Sequence, residues 1–475
     1  MHTVQLADEL GPAEDLLGLV GGRPGGDFPW LLESARVEPP RARFSLAGLD
    51  PAAVVRIRGD RLELRVRRAL GHLEPGPPRV LPGEPFATLR SLLPPAPVDG
   101  GPDLPFAGGV VLILAHELAR TTTGVDLRAL DDLRLPDLVA LLVDRLRVVD
   151  HVAGRSFAVG LGAARDRRTA RQRAEAARDA AAGWLRRPSP SEPAAPAGIP
   201  VRAHFDEAGY VKAVERAREW IAQGEVYQLC LTHRLEVPFA GAAEGLYARL
   251  RRRSPAPFAA LLRLPEATLL SASPERFLRV DEDGWVETCP IKGTRPRHPD
   301  PGEDARLALE LVTSVKERAE NAMIVDLMRN DLARACVPGS VEVPELFRVE
   351  AHPTVFQLVS VVRGRLRRGA DALDVLRDAF PPASMTGAPK LAALRLLDRL
   401  EPVCRGFYAG CAGYLDARGR ADLSVLIRTV VLRGGRALVQ VGGGIVADSV
   451  PAAEYRETLD KARAALEALG ARLPA

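Results

Sequence analysis

The chain has 475 residues, of which 47% are hydrophobic and 27% charged, and a net charge of +4 at pH 7. These values are typical of a folded globular protein with two or three ordinary domains or one large one. The charge is small for this length and no basic block carries interleaved aromatic residues, so we expect no nucleic-acid partner.

The N-terminus has no basic start before an apolar stretch, and no apolar run reaches the length of a membrane span. The five cysteines are scattered and form no Cys-x-x-Cys pair, which argues against a disulfide framework or a zinc site. We therefore expect a soluble, cytoplasmic protein with no membrane contact.

Residues 1–186 predict mostly strands. Runs at 54–58 and 62–66 alternate between apolar and polar residues, as half-buried strands do. A glycine turn leads into a buried strand that ends near residue 114. The Ala- and Arg-rich segment 165–186 has helical spacing and predicts a solvated helix.

Residues 187–200 contain five prolines among Ser, Ala and Gly and predict an extended linker. All five lysines of the chain (212, 292, 316, 390 and 461) follow it. We therefore expect the chemistry to lie in residues 201–475.

The C-terminal portion begins with a predicted helix over 206–223, for which Asp206 is the expected N-cap. A strand at 226–232 and a hairpin of 257–262 with 267–272 follow. The hairpin leads to Glu275, a carboxylate at a strand end. A lone glutamate there is more often a solvated turn residue than a functional one.

Lys292 lies in the stretch 289–297, Cys-Pro-Ile-Lys-Gly-Thr-Arg-Pro-Arg. The chain uses arginine almost everywhere, 60 of its 65 basic residues once the five lysines are subtracted. An amine can attack carbon and a guanidinium cannot. Pro290, Gly293 and Pro296 predict a tight, helix-free loop that presents this amine, although an ion pair in a turn is the simpler alternative.

Two further predicted helices, 304–336 and 451–469, each carry two glutamates at i, i+3 spacing, which places both carboxylates on one helix face. The residues are Glu317, Glu320, Glu454 and Glu457. Hard oxygen donors suit Mg²⁺, although either pair alone is more often a solvated face.

Two glycine-containing segments, 384–390 and 442–449, predict loops whose backbone N–H groups bind anions. Neither fits a nucleotide-binding pattern. A strand over 422–429 carries Arg428 among apolar residues, where an arginine usually has an anionic partner. These residues together predict a site for a small polyanion, Mg²⁺ and an amine.

Several of these segments resemble motifs of the chorismate-utilising enzymes, in family order. They are Ser-Pro-Glu-Arg-Phe at 273–277, Pro-Ile-Lys-Gly-Thr-Arg-Pro-Arg at 290–297, Ala-Glu-Asn-Ala-Met-Ile-Val-Asp-Leu-Met-Arg-Asn-Asp-Leu at 319–332, Thr-Gly-Ala-Pro-Lys at 386–390, Ile-Arg-Thr at 427–429, Gly-Gly-Ile-Val-Ala-Asp-Ser at 443–449 and Glu-Tyr-Arg-Glu-Thr at 454–458. Segments 31–34, 43–45 and 135–137 match more weakly. The resemblance implies an α+β fold, a large two-sheet antiparallel β-sandwich with flanking helices. Residues 1–186 would contribute to the same body as the catalytic region 201–475.

Within the family the chain resembles the aminodeoxychorismate synthase component I branch more than the anthranilate synthase branch. Lys292 stands where anthranilate synthases usually carry alanine. Gln228 replaces the lysine base of isochorismate and salicylate synthases. Gln357 replaces a histidine that is associated with pyruvate elimination. The implied activity is that of a transferase which aminates chorismate at C4, on the route to para-aminobenzoate and folate.

The resemblance also implies a role for each site residue. Lys292 would be the nucleophile and Glu275 the acid, and the four glutamates would hold Mg²⁺. Substrate would be bound by Thr294, Thr386, Tyr414, Arg428, Gly443, Gly444 and Lys461. A tryptophan pocket would be formed by Leu32, Glu33, Ser34, Arg43 and Phe44.

Ammonia would come from a partner glutamine amidotransferase subunit. The only string suggestive of a glutaminase nucleophile, Gly-Cys-Ala-Gly at 410–413, lies in a predicted strand. Departures from the family pattern are Cys230, His233 and Val450, with further changes at 112–113 and 116–117. The alternatives are an anthranilate synthase component I and a non-catalytic homologue that binds an amino acid.

Overall fold

The computed structural model describes residues 1–94, 97–185, 198–351 and 355–472. The strands in these ranges are β1 His2–Pro12, β2 Trp30–Glu33, β3 Phe44–Gly48, β4 Ala53–Arg58, β5 Arg61–Val66, β6 Arg79–Leu81, β7 Val98–Asp99, β8 Gly109–Leu114, β9 Leu138–Val143, β10 Arg145–Asp150, β11 Arg155–Ala164, β12 Arg202–Ala203, β13 Gln228–Pro238, β14 Phe258–Arg263, β15 Thr268–Ser273, β16 Arg276–Val280, β17 Trp285–Thr288, β18 Ile291–Pro296, β19 Glu342–Ala351, β20 Val355–Arg365, β21 Gly387–Ala388, β22 Cys411–Asp416, β23 Ala421–Val425, β24 Thr429–Arg433 and β25 Arg436–Ile445.

The α-helices in the same ranges are α1 Leu17–Val20, α2 Pro85–Leu92, α3 Ala119–Thr123, α4 Arg167–Ala182, α5 Glu207–Ala222, α6 Ala243–Arg253, α7 Pro301–Thr313, α8 Val315–Ala333, α9 Ala372–Ala379, α10 Lys390–Leu400 and α11 Pro451–Leu469.

The strands form two large sheets. The first runs β12-β13-β25-β24-β15-β14-β2-β3-β10-β11-β1-β7, with β21 on β13, and the second runs β18-β20-β17-β16-β23-β22-β8-β9-β4-β5-β6, with β19 on β20. The described ladders are antiparallel except for the short pairing of β1 with β7. The predicted α+β class with two large, mostly antiparallel sheets is confirmed.

Both sheets combine strands from the two ends of the chain. In the first sheet β2 pairs with β14, and in the second β8 pairs with β22. Each ladder therefore continues across the predicted boundary between residues 1–186 and 201–475. Of the predicted linker 187–200, residues 187–197 lie outside the described ranges, so the linker stays a prediction.

The core lies between the sheets and beneath the helices. Trp30, Leu262 and Leu438 of the first sheet pack with Val111 and Leu141 of the second in one buried cluster. Other clusters bury the outer face of the first sheet under α6 and α11 and that of the second under α8 and α9. Since strands buried on both faces lose clean polar alternation, they read as apolar runs in the sequence.

The chain crosses between the sheets at two adjacent points. Residues 274–275 connect β15 of the first sheet to β16 of the second, and residues 426–428 connect β23 of the second sheet to β24 of the first. The N–H of Ala272, at the end of β15, donates to the carbonyl of Arg428 at 3.1 Å, and the N–H of Val425 donates to the carbonyl of Glu275 at 3.0 Å, so the two crossings lie side by side. Glu275 and Arg428 are therefore brought together by the topology.

Several predicted elements are confirmed. Helix α5 begins after Asp206, whose carboxylate accepts from the N–H of Gly209. Helix α4 lies within 165–186, and helix α11 spans Pro451–Leu469 as predicted. Strands β14 and β15 form the predicted hairpin.

Four element predictions were wrong. The helix over 304–336 is two helices, because Ser314 ends α7 and caps α8. The strand over 422–429 is interrupted by the crossing at 426–428. The segment around Lys292 is strand β18 with a bulge, because it pairs with β20. Gly442–Gly444 lie inside β25, because they pair with β13.

Among the described helices none is long and apolar enough to cross a membrane. The five cysteines are buried and free of disulfide bonds.

Candidate active site

A cavity of about 600 Å³ opens where β13 and β25 of the first sheet approach β18 and β20 of the second, beneath the first turns of α8 and α11. Most of the predicted site residues line it. They are Glu275, Lys292, Thr294, Glu317, Glu320, Arg428, Gly443, Gly444, Glu454, Glu457 and Lys461.

Lys292 lies in a bulge of β18. The register of β18 with β20 shifts between Ile291 and Thr294, so Lys292 and Gly293 fall outside the regular ladder. A bulge re-aims the side chain that it carries. Here it points the Lys292 amine into the cavity.

Gly293 makes this bulge feasible. Its φ is +82°, a backbone conformation that residues other than glycine adopt only with strain. An added Cβ would lie 2.9 Å from both Glu317 Oε2 and Leu311 Cδ1. The glycine therefore lets helix α8 approach the residue next to Lys292.

Glu275 is buried, and its Oε1 has no hydrogen-bond partner among the described residues. Burial raises the pKa of Glu275 to about 7, although Ser384 and Lys292 act in the opposite direction. A carboxyl group with such a pKa is protonated for much of the neutral range and can donate a proton.

Helix α8 presents Glu317 and Glu320. Its position is fixed by Asn321, which is fully buried, accepts from Ser360 Oγ at 2.6 Å and donates to the carbonyl of Leu358 at 3.4 Å. Burial raises the pKa of Glu320, against the opposing effect of Lys292 and Lys316.

Helix α11 presents Glu454 and Glu457 from the opposite side. Burial raises the pKa of Glu454, although Ser449 donates to its Oε1 at 2.7 Å. Burial also acts to raise the pKa of Glu457, but the amines of Lys461, Lys316 and Lys292 together bring it below its ordinary value. Lys461 Nζ lies 2.7 Å from Glu457 and donates to the carbonyl of Gly442.

The four glutamates share one cavity but are not drawn together. In the described ranges no three His, Cys, Asp or Glu side chains are close enough to hold a metal ion. Each of the four carboxylates instead has a cation within 4.0 Å: Arg295 for Glu317, Lys316 for Glu320 and Glu454, and Lys461 for Glu457. The donor set fits Mg²⁺ in chemistry, since all are carboxylates and two have pKa values raised by burial, which a cation would offset.

Arg428 is the last residue of the crossing from β23 to β24 and has a left-handed φ of +51°. Its side chain is exposed, and it lines the cavity. The surrounding protein lowers its pKa by desolvation, against the effect of Tyr408 and Glu457. A cation so placed favours an anionic ligand in the cavity.

Gly443 and Gly444 leave room at the cavity wall. A Cβ on Gly444 would lie 2.4 Å from Gln228 Nε2 and 3.5 Å from Lys292 Nζ, and one on Gly443 would lie 3.2 Å from Glu454 Oε2. Strand β24 pairs only with the start of β25, up to Val439. At these glycines, one edge of β25 pairs with β13 and the opposite edge belongs to no described ladder. The N–H groups on that opposite edge can bind a ligand.

Two predicted substrate contacts lie elsewhere. Thr386 is buried behind the cavity wall, where its hydroxyl donates to the carbonyl of Ala383 at 3.2 Å. Tyr414 lies on β22 and lines a second cavity, and its ring centroid is 4.9 Å from that of Phe106. The reason is that β22 lies between β23 and β8, away from β13 and β25.

The second cavity has a volume of about 350 Å³. It is lined by all the residues predicted for a tryptophan pocket: Leu32, Glu33, Ser34, Arg43 and Phe44. Their charges are already paired. Glu33 accepts from Tyr247 and Arg251 at 2.7 Å each, and Arg43 pairs with Asp150 at 2.6 Å. Whether the cavity takes an amino acid stays a prediction.

The departures from the family pattern divide by location. Cys230 and Gln357 line the first cavity. His233 lies behind it, with its Nε2 2.9 Å from Thr458 Oγ1 on α11. Cys411 is buried in β22, and burial raises the pKa of its thiol, so it is unsuited to be a glutaminase nucleophile.

Sequence reasoning missed other residues of the first cavity, among them Lys316, Ser384 and Tyr408. The scarcity of lysine was a signal for Lys316. Its i, i+4 spacing from Glu320 is equally typical of an ion pair on a solvated helix face.

Comparisons with known proteins identify the family of the chain. The family model described as "chorismate binding enzyme" matches residues 40–467. The aminodeoxychorismate synthase of Streptomyces griseus is 41% identical over 96% of this chain and 61% of its own length. Anthranilate synthase component 1 of Streptomyces coelicolor is 40% identical over 99% of this chain and 88% of its own length.

A solved structure is also similar. Anthranilate synthase component I from Streptococcus pneumoniae superposes with a TM-score of 0.78 at 29% identity, covering 90% of this chain and 93% of that chain. The chain spans about three fifths of the length of the Streptomyces griseus relative, 61%. With a family match over most of its length, the chain belongs to the chorismate binding enzymes.

Proposed function

We propose that the chain catalyses the Mg²⁺-dependent amination of chorismate at C4, giving 4-amino-4-deoxychorismate. The ammonia comes from a partner glutaminase. The observation that carries the proposal is the presence of Lys292 and the raised-pKa Glu275 in one cavity, with four glutamates and Arg428 around it. An amine, an acid and sites for two carboxylates suit a cyclic dicarboxylate with a leaving hydroxyl.

The nitrogen of Lys292 forms a bond to C2 of the ring through its lone pair. The ring double bonds shift, the C4–O bond breaks, and Glu275 donates its proton so that the hydroxyl leaves as water. Ammonia then bonds to C4, the double bonds shift back and the C2–N bond breaks. The lysine amine is regenerated, and the nitrogen bound to C4 gives its extra proton to the Glu275 carboxylate, which restores the acid and leaves the C4 amino group.

Glu317, Glu320, Glu454 and Glu457 would hold the magnesium ion, which supplies a positive charge for the ring carboxylate of the substrate. Arg428 and the open edge of β25 at Gly443 and Gly444 would bind the enolpyruvyl carboxylate. The four glutamates, through the metal, and Arg428 with the glycine edge would therefore hold the two ends of the substrate.

Two residues favour the C4 product over anthranilate. Gln357 lines the cavity at the position where the family carries a histidine associated with pyruvate elimination, and an amide is a poor acid or base. Lys292 supplies the nucleophile for the two-step displacement. Gln228 stands where a lysine would activate water, which disfavours hydroxylation.

The partner is proposed from two observations. Cys411, the one candidate for a glutaminase nucleophile, is buried in a strand. A relative is named as component 1 of its enzyme, which makes a second component expected here.

Product analysis tests the proposal. Purified chain with chorismate, Mg²⁺ and ammonium should yield a product that becomes para-aminobenzoate only when a lyase is added. With glutamine in place of ammonium and no partner, we expect no product. Glutamine turnover by the chain alone would contradict the need for a partner.

The alternative is an anthranilate synthase component I, which the 40% identity to such a relative favours. It predicts a fluorescent anthranilate product without added lyase. A non-catalytic amino-acid-binding homologue predicts no product of either kind and binding at the second cavity.

A further inference from the structure

Lys316 is placed differently from the other cations of the cavity. Its Nζ lies 4.0 Å from Glu320 Oε1 on its own helix and 4.0 Å from Glu454 Oε1 on α11. It is therefore a single positive charge between one carboxylate from each glutamate pair.

The ammonium of Lys316 is also loosely held. Its side chain is 51% exposed, and in the described part of the chain it donates no hydrogen bond at normal distance. By contrast, Lys390 donates three, to Asp331, Ala379 and Pro381, and Lys461 donates to Gly442 besides its pairing with Glu457. A flexible four-carbon side chain with one exposed end can leave its position at small cost.

We propose that Lys316 is a built-in competitor for the metal position: its ammonium balances Glu320 and Glu454 in the metal-free enzyme and moves into solvent when a divalent cation binds. The inference rests on the proposed function, because it requires those glutamates to bind Mg²⁺. It goes further by assigning to a residue outside the ligand set the control of metal affinity.

Two charge effects lead to this conclusion. Without Lys316, the half-buried carboxylate of Glu320 and the buried carboxylate of Glu454 would each have one cation fewer to offset its charge, which destabilises the metal-free fold. With Mg²⁺ present, the ammonium would add repulsion to the metal and compete for the same oxygens. A lysine suits this exchange better than an arginine, whose bidentate pairing holds carboxylates more firmly.

The test is a titration of metal-free protein with MgCl₂ by calorimetry, which needs no turnover. We expect Lys316→Met to bind Mg²⁺ about three- to tenfold more tightly than wild type, the range expected for loss of two weak ion pairs. Lys316→Arg should bind as weakly as wild type or more weakly. The control Lys212→Met removes the same charge from the exposed face of α5 and should leave the affinity unchanged.

Thermal unfolding gives a second readout. Metal-free Lys316→Met should melt below metal-free wild type, and the difference should close at saturating Mg²⁺. If wild type and Lys316→Met bind Mg²⁺ with equal affinity, or if Lys316→Arg binds Mg²⁺ more tightly than wild type, the proposed displacement of Lys316 is wrong while the proposed metal site is unaffected. Wild-type protein that takes up no Mg²⁺ would contradict the proposed metal itself, and the displacement would fall with it.

Discussion

At the scale of single residues, the candidate site depends on side chains whose burial and direction are set by the fold. Glu275 is buried with an unpaired oxygen, and Lys292 projects from a strand bulge. Neither feature can be read from the local sequence, although lysine scarcity did identify Lys292. The position of Lys316 was missed as well, and its i, i+4 spacing from Glu320 does not tell a cavity-facing pair from a solvent-facing one.

Lys292→Ala should lower ammonia-dependent turnover about a thousandfold or more, because the nucleophile of a covalent route is removed. Intact-mass spectrometry of wild type during turnover should show a chorismate-derived adduct that the variant lacks. Lys212→Ala, on the exposed face of α5, should behave as wild type. Unchanged turnover without any trapped adduct would remove the nucleophile role.

Glu275→Gln should lower kcat/KM for chorismate by about 10²- to 10⁴-fold. In wild type, activity at constant free ammonia should fall as pH rises through about 7, because the proton donor is lost.

The same raised pKa has a consequence for stability. Since the folded pKa of Glu275 lies above its ordinary 4.5, its protonation stabilises the fold below pH 4.5, and this contribution is lost as pH rises to about 7. Glu275→Gln should therefore have a higher melting temperature than wild type at pH 8 and the same melting temperature as wild type at pH 4.5. If instead the activity of wild type at constant free ammonia does not change between pH 6 and pH 8, Glu275 is not the acid.

At the scale of elements, predictions held where a local signal was decisive. Asp206 capped α5 as expected, and the hairpin of β14 and β15 formed. The predictions failed where pairing partners were distant. The glycine segment 442–444 was predicted as a loop but is part of strand β25, because it pairs with β13. The apolar segment 422–429 was predicted as one strand, but the chain passes from the second sheet to the first within it, at the turn that ends with Arg428.

His233 connects two elements, because its ring on β13 lies 2.9 Å from Thr458 Oγ1 on α11 and packs near Tyr210 of α5 and Tyr455. Burial, with a smaller effect of His204, lowers the pKa of His233 to about 4. A histidine with a lowered pKa stabilises the fold above its ordinary pKa of 6.5, and that contribution is lost as pH falls from 6.5 toward 4.

Between pH 7.5 and 5, wild type should therefore lose about 2 kcal/mol more unfolding free energy than His233→Gln. Urea denaturation at both pH values measures this difference. Other buried histidines titrate in both proteins and cancel. Parallel pH dependence of the two proteins would show that His233 is not the group responsible.

At the scale of the whole molecule, the resemblance predicted the fold class and the sharing of one body by both ends of the chain. It could not predict that both sheets continue from one end of the chain to the other. Such pairings depend on strands hundreds of residues apart, such as β2 with β14.

A chain cut by a protease at a site introduced within 187–197 should stay associated, because two sheets would have to separate for it to come apart. Gel filtration should show one particle of unchanged size, and ammonia-dependent activity should persist. Two separate peaks after cleavage would contradict this expectation.

The paired crossings between the sheets bring the two cavities within a few residues of each other. Ser424 of β23 lines the second cavity, and Arg428 of the first follows only four positions later. A displacement of β23 at the second cavity is therefore transmitted to Arg428 at the first through four consecutive residues of backbone.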